Sequence, residues 1–292
     1  MRSLTKGEKI FNVFNILFLG FIALICVYPF MYTLTMSFSS ATAAARDGLH
    51  IFPTEFVLTS YEMVFNNPDI ITGYFNSVVR TVLGTVLSVL ACSLAAYPLA
   101  RKEMSHRSMF TFLVVFTMLF GGSMVPNYLL IRNLGMIDTV WALILPMLIP
   151  AFNVIIIKNF FQSIPESLSE SAKIDGAGDW CILFRIYMPL SKAVLATVAL
   201  WTSVAHWNAW FDALLYITDD KKQVLQTFLQ RIVIQSSTEM MELGVTDTNV
   251  IEFTSETIKA ATIIVTILPI LCVYPFVQKY FVKGIMLGGV KE

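Results

Sequence analysis

Residues 163–179 read Ser-Ile-Pro-Glu-Ser-Leu-Ser-Glu-Ser-Ala-Lys-Ile-Asp-Gly-Ala-Gly-Asp, a polar run set between two strongly apolar stretches. Ser163 and Glu166 have capping-box spacing, Pro165 suits a first helical turn, and Gly176 can take the left-handed conformation that ends a helix. A short helix is predicted there. Asp179 is placed to cap a second one through Trp180, Phe184 and Ile186, closed by Pro189 as the next apolar stretch begins.

Working outward, 56% of the 292 residues are hydrophobic and 14% are charged, outside the usual composition of soluble domains of this length. A bilayer core needs roughly 20 predominantly apolar residues per helical span, and apolar runs bounded by charge predict spans near 10–36, 76–100, 108–131, 139–160, 190–216 and 258–282. The fold class is therefore all-α, a polytopic membrane bundle of about six helices. Gly121-Gly122 and Pro126 interrupt the third span, Pro146 and Pro150 the fourth, and irregular backbone at membrane depth needs protein or water around it. Pro29, Pro269 and Pro275 are expected to kink their helices.

Arg2, Lys6 and Lys9 before an apolar run, with Ala43-Ala44-Ala45 beyond it, raise the possibility of a signal peptide. The run from Ile10 to Phe38 is roughly twice the usual ~7–15-residue signal core, so a retained first span is the expectation. With both termini and the second and fourth connections on one side, that side carries 13 of the 20 Lys and Arg residues and the other 7. The positive-inside rule then makes both termini cytoplasmic. Two outer connections, from about Ser39 to Phe75 and from Ile217 to Thr257, are rich in Asp and Glu. They suit either caps facing an extracytoplasmic partner or ordinary solvated loops.

On the first helix of the polar run, Leu168, Ala172 and Ile174 form a small apolar surface flanked by Glu166, Glu170, Lys173 and Asp175. By spacing alone this suits a knob docking in a groove of a soluble partner, or a helix lying on the bilayer surface. The string Glu170-Ser171-Ala172-Lys173-Ile174-Asp175-Gly176-Ala177, followed by Phe184, Ile186 and Pro189-Leu190, resembles the Glu-Ala-Ala loop of permeases from binding-protein-dependent ATP-binding-cassette importers. The resemblance implies the type I importer fold shared with the maltose and methionine permeases, with 1–292 a single transmembrane domain and 161–189 a cytoplasmic coupling loop. It places ATPase coupling on Glu170, Ala172, Asp175, Gly176 and Ala177. Ser171 departs from the usual Ala but is equally small. Gly121-Gly122 with Pro126-Asn127-Tyr128, Asn159-Phe160-Phe161, Trp207-Asn208-Ala209-Trp210-Phe211 and the ending 279–291 are similar to the carbohydrate-uptake branch, with importers of polysaccharide fragments, including plant cell-wall ones, the nearest likeness.

The fifth span holds Trp201, His206, Trp207, Asn208, Trp210 and Asp212. Trp207 and Trp210 lie three apart, and Asn208 and Asp212 four apart, so on a continuous helix each pair shares a face. Aromatic rings stack on sugar C–H faces while amide and carboxylate bond hydroxyls, which is the chemistry of a glycan pathway. The same residues also suit an interfacial Trp belt with polar groups bonding neighbouring helices. Trp207, Asn208, Asp212 and Gly122 are the candidate pathway residues, and packing between helices is the other use of Gly122.

No Gly-x-x-x-x-Gly-Lys-Ser/Thr phosphate loop occurs in the sequence. The expectation is a non-catalytic membrane subunit that binds no cofactor or metal, with ATP and Mg on a partner ATPase. His50, His106 and His206 and the four cysteines have no metal-ligand or disulfide spacing. Net charge is zero, which gives no indication of nucleic-acid binding. The resemblance implies a bacterial plasma-membrane location and, as partners, a second homologous permease, two ATPase subunits, an extracytoplasmic solute-binding protein, an oligosaccharide and membrane lipid. The rival readings are the same architecture carrying a non-sugar solute, and an ion-gradient-driven carrier.

Overall fold

The computed structural model describes residues 5–46, 48–232, 254 and 256–272. Pro275, the ending 279–291 and most of the acidic residues of the second outer connection lie outside the described residues. Within them helix is the regular element, and the chain forms two compact units.

The first unit takes the chain up to Pro68 together with 229–268. Helix α1 (Lys6–Ser37) opens with a capping box: the Thr5 N–H donates to the Glu8 carboxylate at 2.6 Å, and the Glu8 N–H donates to the Thr5 hydroxyl at 3.4 Å. It continues unbroken through Pro29 and is 32 residues long, enough to cross a bilayer. From Ile10 to Phe30 its side chains are exposed, so the apolar surface of this helix is covered by lipid or by other chains rather than by its own unit. The first outer connection carries two short helices, α2 (Ala41–Ala44) and α3 (Thr59–Asn66). Phe38 stacks on Phe56, the Thr35 hydroxyl donates to the Ile51 carbonyl, and Ser60 donates to Thr257 at the start of a helix over 256–272. That helix is the described part of the sixth predicted span.

The second unit begins at Asp69. Helix α4 (Pro68–Ala100) has 33 residues, and its buried face runs through Gly73, Ser77, Arg80, Gly84 and Ser88. This is a stripe of small residues at three- and four-residue spacing, interrupted by one arginine. Small residues let another helix approach closely: a Cβ on Gly84 would lie 2.5 Å from His206 Nε2. The third predicted span is two helices, α5 (Arg107–Leu119) and α6 (Met124–Asn133), bent by 109°. The fourth is α7 (Val140–Ile144), a 3₁₀ turn at Leu145–Met147 and α8 (Ala151–Gln162), with a 52° bend. Both bends fall where glycine and proline interrupt the apolar run.

Beyond α8 the polar loop folds as α9 (Glu166–Ile174) and α10 (Asp179–Ile182), then a π-helical turn at Leu183–Tyr187 and α11 (Met188–Leu190). An 82° bend leads into α12 (Lys192–Asn208), followed by α13 (Phe211–Tyr216). Among the described residues two helices are individually long and apolar enough to cross a membrane, and five if each bent pair is one span. Cys92, Ala96, Val154, Ile157, Phe161, Ile182 and Val198 form the main core of this unit. Asn153 ties α8 to α12, accepting from Trp201 Nε1 at 2.9 Å and donating to the Thr202 hydroxyl at 3.1 Å, so its amide is satisfied despite burial.

A second apolar cluster holds Ile131, Leu143, Tyr216 and Val224, and Asp138 closes the chain over it. Its carboxylate accepts from the Thr218 N–H at 2.6 Å, the Thr218 hydroxyl at 2.5 Å and the Asp219 N–H at 3.0 Å. These bonds, the Thr218 hydroxyl foremost, hold the Asp138 carboxyl below its ordinary value. A depressed carboxyl contributes stability above its unfolded value, near 3.8, that is lost as pH falls through the lower folded value. The protection of the Thr218 and Asp219 amides from hydrogen exchange, taken relative to the intrinsic rate at each pH, is therefore expected to fall below about pH 4. Asp138→Asn should abolish that acid step; an identical pH profile in the variant would refute the assignment.

Candidate functional site

Helix α9 starts differently from the sequence expectation. Its N-cap is Pro165, with no side-chain cap, and the Ser163 hydroxyl donates instead to the Phe160 carbonyl at 2.7 Å. Ser163 ends α8, so its side chain satisfies one of that helix's free carbonyls, and Glu166 turns to Lys102 at 2.8 Å. The other end is as expected. Gly176 has φ +83°, its N–H donates to the Lys173 carbonyl at 3.0 Å, and the Ala177 N–H donates to the Ala172 carbonyl at 2.8 Å. That pair of bonds is a Schellman stop, with Asp175 as C-cap.

The helix has two faces. Ala172 and Ala177 pack inward against the main core, together with buried Ser169, whose hydroxyl donates to the Glu166 carbonyl. Ala172 thus lets α9 lie close to its own unit, and is not part of an outward apolar surface with Leu168 and Ile174. Glu170, Asp175 and Gly176 are exposed, and Ile174 is 87% exposed at the tip. Trp180 and Phe184, also exposed, stack at 6.1 Å just beyond the stop.

Asp179 does not cap α10, because Gly178 occupies that position. Its carboxylate pairs instead with Arg101, at the end of α4, and accepts from the Tyr97 hydroxyl at 3.3 Å. Arg101 Nη1 also donates to the Tyr97 oxygen at 3.1 Å, and its guanidinium lies 5.2 Å from that ring's centroid. Tyr97 packs edge-on to Tyr187, and Tyr187 edge-on to Phe161. Lys102 pairs with Glu166, and Lys173 with Glu103 at 3.2 Å. The Lys102 ammonium holds the Glu166 carboxyl below its ordinary value through their hydrogen bond. The connection between α4 and α5 thus grips both ends of α9 and the start of α10. Sequence reasoning missed Arg101, Lys102 and Glu103, although a run of three charges at the end of a long apolar helix is visible without a structure.

The candidate pathway residues are not arranged as a single helical face. Helix α12 stops at Asn208, Ala209 is extended (φ −75°, ψ 127°), and α13 begins at Phe211. Trp207 and Trp210 therefore do not share a face, nor do Asn208 and Asp212. Trp207 is buried and meets the Tyr74 ring edge-on at 5.7 Å. Asn208 is exposed. The Asp212 carboxylate pairs with Arg80 of α4, whose Nη1 donates to the Ala209 carbonyl at 3.0 Å. Gly122 lies in the break between α5 and α6, where an added Cβ would sit 2.9 Å from the Asn127 amide oxygen.

Residues 70–286 match the family model described as binding-protein-dependent transport system inner membrane component. Protein LplC of Bacillus subtilis is 45% identical over 98% of this chain and 97% of its own length. The polygalacturonan/rhamnogalacturonan transport system permease protein YtcP of the same organism is 45% identical over 96% of this chain and 99% of its own. Among solved structures, a chain of a bacterial ABC transporter involved in the import of the acidic polysaccharide alginate superposes with TM-score 0.88 and 31% identity, covering 96% of this chain and 100% of that one. The all-α type I permease fold is thereby established, and the chain belongs to the family of inner membrane components of binding-protein-dependent transport systems.

Proposed function

We propose that this chain forms one half of the translocation pathway of an ATP-driven importer of oligosaccharides, fragments of plant cell-wall or other polysaccharides, and couples that pathway to a separate ATPase through α9. The carrying observation is the geometry of α9: a short helix stopped at Gly176, seated inward on Ala172 and Ala177, with Glu170, Asp175 and the Ile174 tip outward. A rigid knob of that kind suits a groove on a soluble subunit, and its three-point attachment to the α4–α5 connection lets a push on it reach the membrane helices. The substrate class is supported by the relatives, which are named for rhamnogalacturonan and alginate systems.

In this reading 1–292 act as one transmembrane permease domain and 161–189 as its coupling loop, with both termini cytoplasmic. A second homologous permease completes the pathway, two ATPase subunits carry the ATP and Mg, and an extracytoplasmic binding protein delivers the sugar. Trp207, Asn208, Asp212 and Gly122 contribute to the pathway. The test is reconstitution with the candidate second permease, ATPase and binding protein, scoring accumulation of neutral and uronic oligosaccharides. ATP-dependent accumulation of one glycan class is the expected result. Movement that persists without ATP, or stimulation only by a non-sugar solute, would overturn it.

A further inference from the structure

Arg80 is the largest fully buried side chain in the described residues, 1% exposed, and the one large residue among the buried positions of α4 between Gly73 and Ser88. A guanidinium so placed is costly unless its donors are engaged, and a charge in a membrane helix marks a functional position by default. Its donors reach both sides of one feature. Nη1 donates to the Ala209 carbonyl, just past the end of α12, and Nη2 pairs with the carboxylate of Asp212, in the first turn of α13. The other oxygen of Asp212 accepts the Ala213 N–H at 2.9 Å.

The break between α12 and α13 contains neither glycine nor proline, so local conformational preference does not impose it. Arg80 supplies what the sequence lacks: a donor for a carbonyl left free by the helix end, and a cation for the carboxylate of the following turn. One turn before the break, His206 packs on Gly84, and Trp207 packs on Tyr74, both partners also on α4. Asn208 therefore stands between two anchored neighbours, Trp207 held by a ring and Ala209 by its carbonyl, and is itself exposed.

We propose that Arg80 is a positioning residue for the sugar pathway: by bridging the Ala209 carbonyl and the Asp212 carboxylate it fixes the α12–α13 break and so presents Asn208 to the substrate. This rests on the reading of Asn208 as a pathway residue.

The reconstituted importer tests it through sugar accumulated per ATP hydrolysed and through selectivity among oligosaccharide lengths. A merely structural role would lower uptake and hydrolysis together, leaving their ratio and the selectivity unchanged. Arg80→Gln is expected to lower the ratio about tenfold, the scale of a coupling between sites, and to blunt length selectivity. Asp212→Asn, which keeps shape and leaves the Ala209 bond in place, should move both readouts in the same direction by less. If Arg80→Gln does not assemble, Arg80→Lys, which keeps the cation but lacks the fork that bridges the Ala209 carbonyl and the Asp212 carboxylate, takes its place. An unchanged ratio and selectivity in the assembled variants overturns the proposal. Asn208→Ala separates the two layers: if it alters ratio or selectivity while the Arg80 and Asp212 variants do not, the pathway reading stands and positioning fails. If Asn208→Ala changes neither, the pathway role falls and the proposal with it.

Discussion

Gly176→Val is expected to abolish most sugar accumulation by the reconstituted importer while ATP hydrolysis continues, a fall of at least about tenfold in sugar moved per ATP. Space is not the reason, since nothing lies within 4 Å of the position a Cβ would take. The reason is the backbone. At φ +83° a β-branched residue is strained by ~1–2 kcal/mol or more, and returning to negative φ would break both bonds of the helix stop. The chain after the stop would leave in another direction, carrying Asp179 away from Arg101. Helix α9 would still form, because its own turns precede Gly176, and Lys102 and Glu103 would still reach it, but the Arg101–Asp179 point of its attachment would be lost. Gly176→Asn is the control: Asn tolerates the left-handed region and should keep coupling within about twofold of the unmodified protein. Equal coupling in the Val variant and the unmodified protein would remove Gly176 from the mechanism.

The elements that the sequence makes legible are those set by local chemistry. Apolar length predicts the long helices α1 and α4; Gly121-Gly122 and Pro146 with Pro150 mark where the next two spans bend; Gly176 marks the end of α9. The errors arise where a distant residue decides. Nothing between Trp207 and Asp212 predicts a break, because its cause is Arg80, more than a hundred positions earlier. Ser163 and Glu166 have capping-box spacing, yet Ser163 is claimed by the end of α8 and Glu166 by Lys102. Asp179 looks like a cap and serves instead as the partner of Arg101. A polar side chain near a helix start has several competing partners, and spacing describes only the local one.

The proposed coupling site shows the same division. Glu170, Ala172, Asp175, Gly176 and Ala177 are all found on one short helix and its stop, as their contiguity requires. Their faces are a tertiary property. Ala172 and Ala177 pack inward against the main core, which leaves Leu168, Ile174 and the Trp180–Phe184 pair as the outward apolar groups. A docking surface that includes an indole and a phenyl ring buries far more area than one alanine, so the contribution of Trp180 to ATPase docking is expected to exceed that of Ala172.

Among the charges that seat α9, Arg101 is expected to matter most. Its side chain is 13% exposed, against 77% for Lys102, and it serves four groups: the Asp179 carboxylate, the Tyr97 hydroxyl, the Tyr97 ring and Glu103 at 3.4 Å. The Lys102–Glu166 pair is exposed, so solvent and salt screen it. Removing the guanidinium leaves the Tyr97 hydroxyl and Asp179 facing one another without a cation, in the contact that ties the end of α4 to the start of α10. Solvent at Asp179, which is well exposed, limits the loss to below the ~3–5 kcal/mol of a fully buried pair. Arg101→Gln is therefore expected to lower sugar moved per ATP by about fivefold or more, the lower end of a site-to-site coupling, with Lys102→Gln within about twofold. Raising the salt concentration should weaken coupling in the Arg101 variant, which relies on the exposed Lys102 and Lys173 pairs alone, more than in the unmodified protein. Equal behaviour of the Arg101 and Lys102 variants at every salt concentration would mean that α9 is held by its apolar seat on Ala172 and Ala177, and that the charges around it are solvated surface.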